Sequence, residues 1–303
     1  MYENGGNTTQ RFLDGHPELF SYPFESQLGS KYVNDYLSSL FPLKYRWPVF
    51  PLDQSLEADY ETIIDEECKV RIKTPQSSKF RDYTIDLNDA ERKNLFVAWL
   101  GERPRCRGNV VEAFFRASAE AWKDYRRSGE EKAYVGYSPI VVVDADKIVK
   151  DLPGAHVLHV VRNPWSAYAE TKKRAVPLSM AHYLAAWCLN QQSAILYRSL
   201  YPDRVHLIRF EDLIDNPRAV LGAVLARMGI RDSQTLAAPT WNGRPMHEVY
   251  PWGTIRHPNA EANRATANEL SLEEKEEVRL RTEPLLDLLG YSDYPSPTNT
   301  LAR

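Results

Sequence analysis

Two runs of apolar, largely β-branched residues stand out in the hydrophobic pattern of this chain. Residues 155–161 form the first run, which stops at Arg162-Asn163-Pro164, and residues 205–210 form the second. Near-continuous apolar runs of this length are typical of strands that are covered on both faces of a parallel sheet. Residues 134–143 predict a further short strand followed by a loop.

Apolar positions at helical spacing lie between and beyond these runs. The predicted helices cover residues 89–99, 111–125, 146–152, 178–201, 217–228 and 271–289. Gly229 and Gly290 follow the last two, and glycine is a usual helix stop. Because strands and helices alternate, we expect an α/β fold with a central, mainly parallel sheet in a three-layer α/β/α arrangement. We expect one domain over residues 1–303, with loop insertions at about 30–80 and 236–265 around the active site.

Composition limits the classes of function. The 303 residues are 43% hydrophobic and 26% charged, and a net charge of −3 argues against a general nucleic-acid binder. Three scattered cysteines fit neither a disulfide scaffold nor a metal site, so we expect no metal. No apolar run approaches the roughly 20 residues that a membrane-spanning helix needs. We therefore expect a cytoplasmic protein with no membrane span.

A glycine-rich stretch near the N-terminus precedes a helical pattern. It consists of Gly5, Gly6, Asn7, Thr8 and Thr9. Two glycines let backbone amides turn inward, and the threonines add hydroxyls where the first turn of a helix has unpaired N–H groups. Such a site favours an anion, for example a phosphate. The other interpretation is a glycine turn followed by a threonine cap.

Arg162 stands at the carboxyl end of the first apolar run, and Pro164 suits the first turn of a helix. Open α/β sheets bind ligands at this edge, and a guanidinium can contact a phosphate through two donors. An ordinary salt bridge is the alternative. The basic cluster at residues 172–174 either contributes to the same anion site or forms a solvated basic face.

These segments together resemble the sulfotransferases that use 3′-phosphoadenosine 5′-phosphosulfate (PAPS), a P-loop-like α/β family. In that family a helix and a His-Pro pair follow the first loop, as His16-Pro17 does here. A second element of the family is a strand ending in Arg-Asp-Pro or Arg-Asn-Pro. The resemblance covers most of the chain, including residues 207–213, and is greatest to soluble bacterial members similar to the carbohydrate and tyrosine types.

The resemblance implies contacts to both ends of the nucleotide. It assigns the 5′-phosphosulfate to the loop at residues 5–9 and the 3′-phosphate to Arg162 with a nearby hydroxyl. Thr254 and Arg256 are expected to reach the 3′-phosphate or the adenine from a late loop that acts as a lid. In the alternative interpretation Trp241 and Trp252 of that loop only pack on the core.

Three positions depart from the family pattern. Gly5 stands where the family usually has Arg or Lys, and Arg11, one turn into the helix, is the candidate substitute. Glu170 stands where a hydroxyl is expected, which leaves Ser166 and Thr171 as candidates, with Thr171 preferred. The strand that precedes the first loop in the family is missing. Either the start is truncated or residues 1–3 supply a stub.

Glu25 is the candidate catalytic base. It precedes Ser26, at the position where several carbohydrate and tyrosine sulfotransferases place a glutamate. A surface glutamate is the alternative. His16 is expected to cap or pack at a helix end, and His159, inside an apolar strand, is expected to be a core histidine.

The resemblance implies transfer of a sulfuryl group from PAPS to a hydroxyl or amine of a small-molecule or carbohydrate acceptor. The sequence does not distinguish acceptors. A catalytically silent nucleotide-binding protein on the same scaffold is the main alternative. An ATP-dependent, kinase-like phosphotransferase is disfavoured because the chain lacks the Gly-Lys-Ser/Thr ending of a nucleoside-triphosphate loop.

Overall fold

A computed structural model describes residues 3–26, 33, 35–40, 46–48, 53–63, 68–69, 73–74, 76, 85–174, 176–246 and 259–294. The helices are α1 (Gly6–Leu13), α2 (Tyr36–Leu40), α3 (Leu56–Thr62), α4 (Asp89–Gly101), α5 (Arg107–Ala121), α6 (Ala145–Asp151), α7 (Pro164–Lys172), α8 (Met180–Leu200), α9 (Phe210–Asp215), α10 (Pro217–Arg227), α11 (Ala260–Asn268) and α12 (Leu272–Leu289). The strands are β1 (Leu19–Ser21), β2 (Ala133–Val135), β3 (Val157–Val161), β4 (Val205–Arg209), β5 (Thr240–Trp241) and β6 (Arg244–Pro245).

The longer strands form two parallel pairs. β1 pairs with β2, with Leu19 opposite Ala133, and β3 pairs with β4, with Val157 opposite Val205. Parallel pairing of strands separated by helices confirms the α/β prediction. β5 and β6 form a separate antiparallel hairpin.

The apolar runs at 155–161 and 205–210 contain β3 and β4, as the sequence predicted. Residues 134–143 contain a short strand followed by a loop, as predicted, and a 3-10 helix over Val141–Asp144 that the sequence did not predict. β1 was not predicted, because three residues are too few to show a strand period.

Helices cover both faces of the β3–β4 pair. Val161 packs in a cluster with Trp165 of α7 and Trp187 of α8. The preceding residue of the strand, Val160, packs in another cluster with Phe12 of α1 and Leu221 of α10. Alternate residues of one strand thus contribute to cores on opposite sides, which is the layered arrangement that the alternation of elements predicted.

A cavity of about 700 Å³ lies between the two parallel pairs. It touches β2 on one side and β3 on the other, and it extends up to Gly6 at the start of α1. Among the described residues, no strand joins β2 to β3.

Gly290 ends α12 in the left-handed conformation, and Pro164 lies in the first turn of α7, both as predicted. Caps that the sequence analysis did not identify define the other ends: Ser271 and Glu274 form a capping box at the start of α12, and Asn163 caps α7.

Within the described residues, no helix is long and apolar enough to cross a membrane. The same residues include no group of three or more His, Cys, Asp or Glu side chains placed to hold a metal ion.

Candidate active site

The N-terminus of α1 opens at the glycine loop. Gly5 caps the helix with φ 92°, and its carbonyl accepts both the amide and the hydroxyl of Thr9, each at 2.9 Å. The amides of Gly6, Asn7 and Thr8 belong to the first turn, where an α-helix offers no carbonyl acceptor. These donors, together with the positive end of the helix dipole, favour an anion at this end of α1.

Two aromatic rings explain why the loop carries two glycines. A Cβ added at Gly5 would lie 2.1 Å from the Phe210 ring, and a Cβ at Gly6 would lie 2.3 Å from the Tyr137 ring. Only glycine fits at either position. The rings therefore fix the path of the loop from both sides.

Two asparagines of the loop have buried polar atoms with no hydrogen-bond partner in the described part of the chain. Asn4 is 3% exposed, and neither its Nδ2 nor its Oδ1 makes a hydrogen bond to a described residue. Asn7 Oδ1 is also buried without such a partner. A buried amide group without a partner is costly, and a donor such as Asn4 Nδ2 is suited to a ligand oxygen.

Arg162 lies beside the chain that leads into this loop. Its Nη1 donates to the carbonyl of Glu3 at 3.1 Å, and its Nε donates to Asn263 Oδ1 at 2.7 Å. The guanidinium carbon lies 5.1 Å from the centre of the Phe210 ring. The structure thus brings the strand-end arginine next to the chain that leads into α1.

A hydrogen-bond network that the sequence analysis missed holds Arg162 from behind. Asn263 of α11 accepts from Arg162 and donates to Glu211 Oε1 at 3.0 Å. The same Glu211 oxygen accepts the backbone and side-chain N–H groups of Asn163, and Tyr291 donates to its other oxygen at 2.5 Å. Burial and the nearby Glu211 charge raise the pKa of Tyr291 well above its ordinary value, so it remains a donor.

The two candidate hydroxyls face different surroundings. Ser166 Oγ donates to the carbonyl of Asn263 at 2.7 Å and lies 3.3 Å from the Tyr294 hydroxyl. Thr171 donates to Ala167 at 2.9 Å and also hydrogen-bonds Tyr183. The charges of Glu3, Arg162 and Arg174 act on Tyr183. Both hydroxyls are thus linked to Arg162 through one intervening residue, Ser166 through Asn263 and Thr171 through Tyr183.

A carboxylate lies between two cations at this site. Arg174 Nη1 is 3.9 Å from Glu3 Oε1, and the charge of Arg162 also acts on Glu3. Burial nevertheless raises the pKa of Glu3 above its ordinary value, because desolvation exceeds the effect of the two arginines. Glu3 has a φ of 58°, which a non-glycine residue rarely adopts. The sequence analysis did not identify Glu3, and it considered Arg174 only as a member of the basic cluster at residues 172–174.

Glu25 follows a segment that α1 holds in place. Gln10 Nε2 donates to the carbonyl of Phe24 at 3.2 Å, and Arg11 Nη2 donates to the carbonyl of Pro23 at 3.2 Å. Ser26, on the other side, donates through its amide to Tyr137 at 2.8 Å. The charge of Glu25 acts on Glu3, which places the two carboxylates within electrostatic range.

Arg11 is turned toward this segment and toward the β5–β6 hairpin. Its guanidinium lies 5.0 Å from the centre of the Trp241 ring, and the residue is 1% exposed. Its Nε and Nη1 have no hydrogen-bond partner among the described residues. Thr254 and Arg256, the other two predicted contacts, lie outside the described residues.

His16 and His159, the two histidines considered in the sequence analysis, make structural contacts. His16 Nε2 lies 3.0 Å from the carbonyl of Arg231, and His16 Nδ1 accepts the amide of Glu18 at 3.1 Å. His159 is bonded to Gln191 at 2.7 Å, and burial lowers its pKa to about 4. A neutral, satisfied His159 is what the sequence analysis expected.

Comparison with known proteins agrees with this architecture. The profile of the Sulfotransferase family matches residues 10–234. The chain is similar to the sulfotransferase domain from the Synechococcus PCC 7002 olefin synthase, with 15% identity, coverage of 96% of this chain and 92% of that one, and a TM-score of 0.58. It is also similar to the sulfotransferase domain from the curacin biosynthetic pathway, with 15% identity, coverage of 93% and 94%, and a TM-score of 0.51. No curated protein gives a significant match.

The two solved domains show the fold, which is the P-loop-like fold of sulfotransferase domains. The family profile covers the segment from Gln10, inside α1, through β3 and β4 to Gln234, the first residue of the 3-10 helix at Gln234–Ala237. It includes Glu25 and Arg162, and the glycine loop at residues 5–9 precedes it. Because the family profile matches most of this chain, the chain belongs to the sulfotransferase family.

Proposed function

We propose that the protein transfers a sulfuryl group from PAPS to a hydroxyl or amine of a small-molecule or carbohydrate acceptor. The observation that carries this proposal is the position of Arg162 beside the open N-terminus of α1, where Glu3 is its direct neighbour. Family membership supports sulfuryl transfer in general. The donor and the acceptor class are part of the proposal.

The residues present fit a nucleotide with phosphates at both ends. The amides of Gly6, Asn7 and Thr8, with the unpartnered Asn4 Nδ2, would hold the 5′-phosphosulfate. Arg162 and Arg174 would hold the 3′-phosphate, with Thr171 as the nearby hydroxyl. When bound, PAPS supplies the sulfuryl group and leaves 3′-phosphoadenosine 5′-phosphate.

Glu25 would act as the base in this reaction. Its carboxylate takes the acceptor proton while the acceptor oxygen or nitrogen bonds to sulfur and the bond from sulfur to the 5′-phosphate breaks. The helix amides stabilise the charge that develops on the leaving phosphate. Arg11 and Gln10 would act as positioning residues, because they hold the carbonyls of the segment that precedes Glu25.

A calorimetric titration with 3′-phosphoadenosine 5′-phosphate tests the binding site, with 5′-AMP and ATP as comparison ligands. We expect tighter binding of the 3′-phosphorylated nucleotide than of either control. Arg162→Ala should weaken that binding by about 100-fold, since a charge-assisted pair is lost. Arg281→Ala is the matched control, because Arg281 pairs with Glu277 on the surface of α12. Unchanged affinity in Arg162→Ala would overturn the assignment.

Glu25→Gln separates chemistry from binding. The amide cannot accept the acceptor proton, so transfer should fall by about 100-fold or more while nucleotide affinity stays within a factor of about three. Glu102→Gln, at an exposed position after α4, should behave like the wild type. Equal loss of binding and transfer would show that Glu25 acts structurally.

A catalytically silent nucleotide-binding protein is the second candidate function. The position of Arg11 favours this candidate. Gly5 stands where the family usually has a basic residue, and Arg11, the candidate substitute, contacts Pro23 and Trp241. Binding of the 3′-phosphorylated nucleotide without transfer to any member of a broad panel of phenol, sugar and amine acceptors would support this candidate.

A further inference from the structure

Arg162 brings its positive charge to the site without a carboxylate in direct contact. Among the described residues, its hydrogen bonds go to two neutral oxygens, the side-chain oxygen of Asn263 and the carbonyl of Glu3. Arg162 is only 9% exposed, and a cation at that depth is usually paired with an anion. An arginine that is held in place but not neutralised is suited to an anionic ligand.

Asn263 separates Arg162 from the carboxylate of Glu211. Its Oδ1 accepts from Arg162 Nε at 2.7 Å, and its Nδ2 donates to Glu211 Oε1 at 3.0 Å. A guanidinium can only donate hydrogen bonds, and an ionised carboxylate can only accept them. Rotation of the Asn263 amide by half a turn would place donor against donor and acceptor against acceptor. The two charged partners therefore allow a single orientation of this amide.

Glu211 is itself fixed by donors from other elements. It lies in the first turn of α9, directly after β4, and its Oε1 also accepts from the amide and the side chain of Asn163, which follows β3. Tyr291, after α12, donates to Oε2 at 2.5 Å. Because β3 and β4 pair along their full length, their carboxyl ends bring Asn163 and Glu211 together. The sheet thus sets the position of Glu211, and Glu211 sets the orientation of Asn263.

Two fixed points leave one edge of the Arg162 guanidinium for a ligand. The group is planar, so the bonds from Nε to Asn263 and from Nη1 to the Glu3 carbonyl set the direction of the remaining N–H groups. In the described part of the chain, no residue accepts from Nη2. A free arginine side chain loses considerable rotamer entropy when it binds a ligand. Here most of that entropy is lost before the ligand binds, which favours tighter binding.

Asn263 also holds α11 on the molecule. Of the nine residues of this helix, only Asn263 and Ala267 are buried. The ion pair of Lys173 with Glu269, directly after the helix, is exposed and adds little to its docking. A helix that buries so little apolar surface detaches at a low cost in free energy. Its docking therefore depends largely on the residue that orients the guanidinium.

We propose that Asn263, oriented by Glu211, is a positioning residue that aims Arg162 at the 3′-phosphate without neutralising its charge. This role rests on the proposed function, in which Arg162 holds that phosphate. Because one side chain both docks α11 and orients Arg162, phosphate binding and the docking of α11 strengthen each other. A residue that only stabilised the fold would affect nucleotides with and without a 3′-phosphate equally.

Calorimetric titrations with 3′-phosphoadenosine 5′-phosphate and 5′-AMP give the first test. Asn263→Ala should reduce the preference for the 3′-phosphorylated nucleotide by about tenfold, because a hydrogen bond to a charged group is lost. Asn263→Leu, which keeps most of the side-chain volume, should have the same effect. Asn268→Ala is the matched control, since Asn268 is an exposed residue of α11 that contacts Lys275.

The two proposals fail in different ways in this experiment. A wild-type protein that does not prefer the 3′-phosphorylated nucleotide would overturn the proposed function, and the role of Asn263 with it. A wild-type preference that Asn263→Ala and Asn263→Leu retain in full would overturn only the role of Asn263.

A double-mutant cycle distinguishes positioning from support of the fold. In an Arg162→Ala background, Asn263→Ala should change the affinity for 3′-phosphoadenosine 5′-phosphate by less than about twofold, because no guanidinium remains to be oriented. The same loss of about tenfold in both backgrounds would show that Asn263 acts independently of Arg162, and it would overturn the proposal.

Amide hydrogen exchange of the full chain tests the coupling to α11. Saturating 3′-phosphoadenosine 5′-phosphate should slow exchange in α11 by about fivefold or more, whereas saturating 5′-AMP should have a much smaller effect. Amides of α12 serve as the internal control, because a general stabilisation would slow their exchange as well. Equal exchange in α11 with the two nucleotides would contradict the coupling.

Discussion

At the scale of single residues, Glu3 is the feature with the clearest consequence for binding. Its carboxylate lies 3.9 Å from Arg174, and its carbonyl accepts from Arg162. A phosphate that uses these two arginines must compete with the carboxylate. Because burial raises the pKa of Glu3, the carboxyl group takes up a proton at a higher pH than an ordinary glutamate does.

Glu3→Gln should therefore tighten binding of 3′-phosphoadenosine 5′-phosphate by about tenfold, since one nearby negative charge is removed. In the wild type, affinity should rise as the pH falls through the raised pKa of Glu3, and the variant should lack this rise. Calorimetric titrations at several pH values measure both effects. Glu276→Gln, at an exposed position of α12, is the control. Weaker binding by Glu3→Gln would show that the carboxylate supports the site.

At the scale of elements, the β5–β6 hairpin is held tightly against α1. Asn242 and Gly243 form its turn with φ values of 50° and 67°, as a type I′ turn requires. Asp14, at the end of α1, accepts from Thr240 Oγ1 at 2.7 Å and from the Gly243 amide at 3.0 Å. Trp241 of this hairpin packs in the core, and Trp252, the other tryptophan of the late loop, lies outside the described residues.

Asn242→Ala should lower the free energy of unfolding by about 2–3 kcal/mol. The Asn242 side chain accepts the Arg126 amide and donates to the Asp124 carbonyl, both at 2.8 Å, and alanine is strained at a positive φ. Asn242→Gly removes the same hydrogen bonds but tolerates the turn, so it should lose less stability. Urea unfolding of both variants separates the two contributions. An equal loss in both would mean that the backbone conformation contributes little.

The parts of the site that the sequence predicted are local. The strand, turn and helix around Arg162-Asn163-Pro164 follow from neighbouring residues, and so does the glycine loop before α1. The supporting residues are distant: Asn263 is 101 positions from Arg162, and Glu3 is 159. No periodicity or spacing connects such pairs, because only packing of α11 on α7 and the path of the N-terminal chain bring them together.

At the scale of the whole molecule, buried histidines link stability to pH. Burial lowers the pKa of His159 to about 4, against an ordinary value of 6.5. Between these values the unfolded chain takes up a proton that the folded protein does not. Stability is therefore greatest above pH 6.5 and falls as the pH decreases toward 4.

His159 alone should account for a loss of about 3 kcal/mol over that range. Denaturant unfolding at pH 7.5, 6 and 5 measures the slope, and His159→Gln, which has no proton to gain, should reduce it. His182→Gln, at a position of α8 that is not buried, should keep the wild-type slope. An unchanged slope in His159→Gln would assign the pH dependence to other groups, such as His206, whose pKa burial and His156 also lower to about 4.

The Phe210 ring beside Gly5 restricts which substitutions the loop can accept. Family members usually carry Arg or Lys at this position, yet here any side chain would meet the ring 2.1 Å from its Cβ and would require a φ of 92°. A single codon change to arginine would displace the ring from beside Arg162. A basic side chain at this position thus needs a coordinated second change at Phe210, so Gly5 and Phe210 cannot be substituted independently.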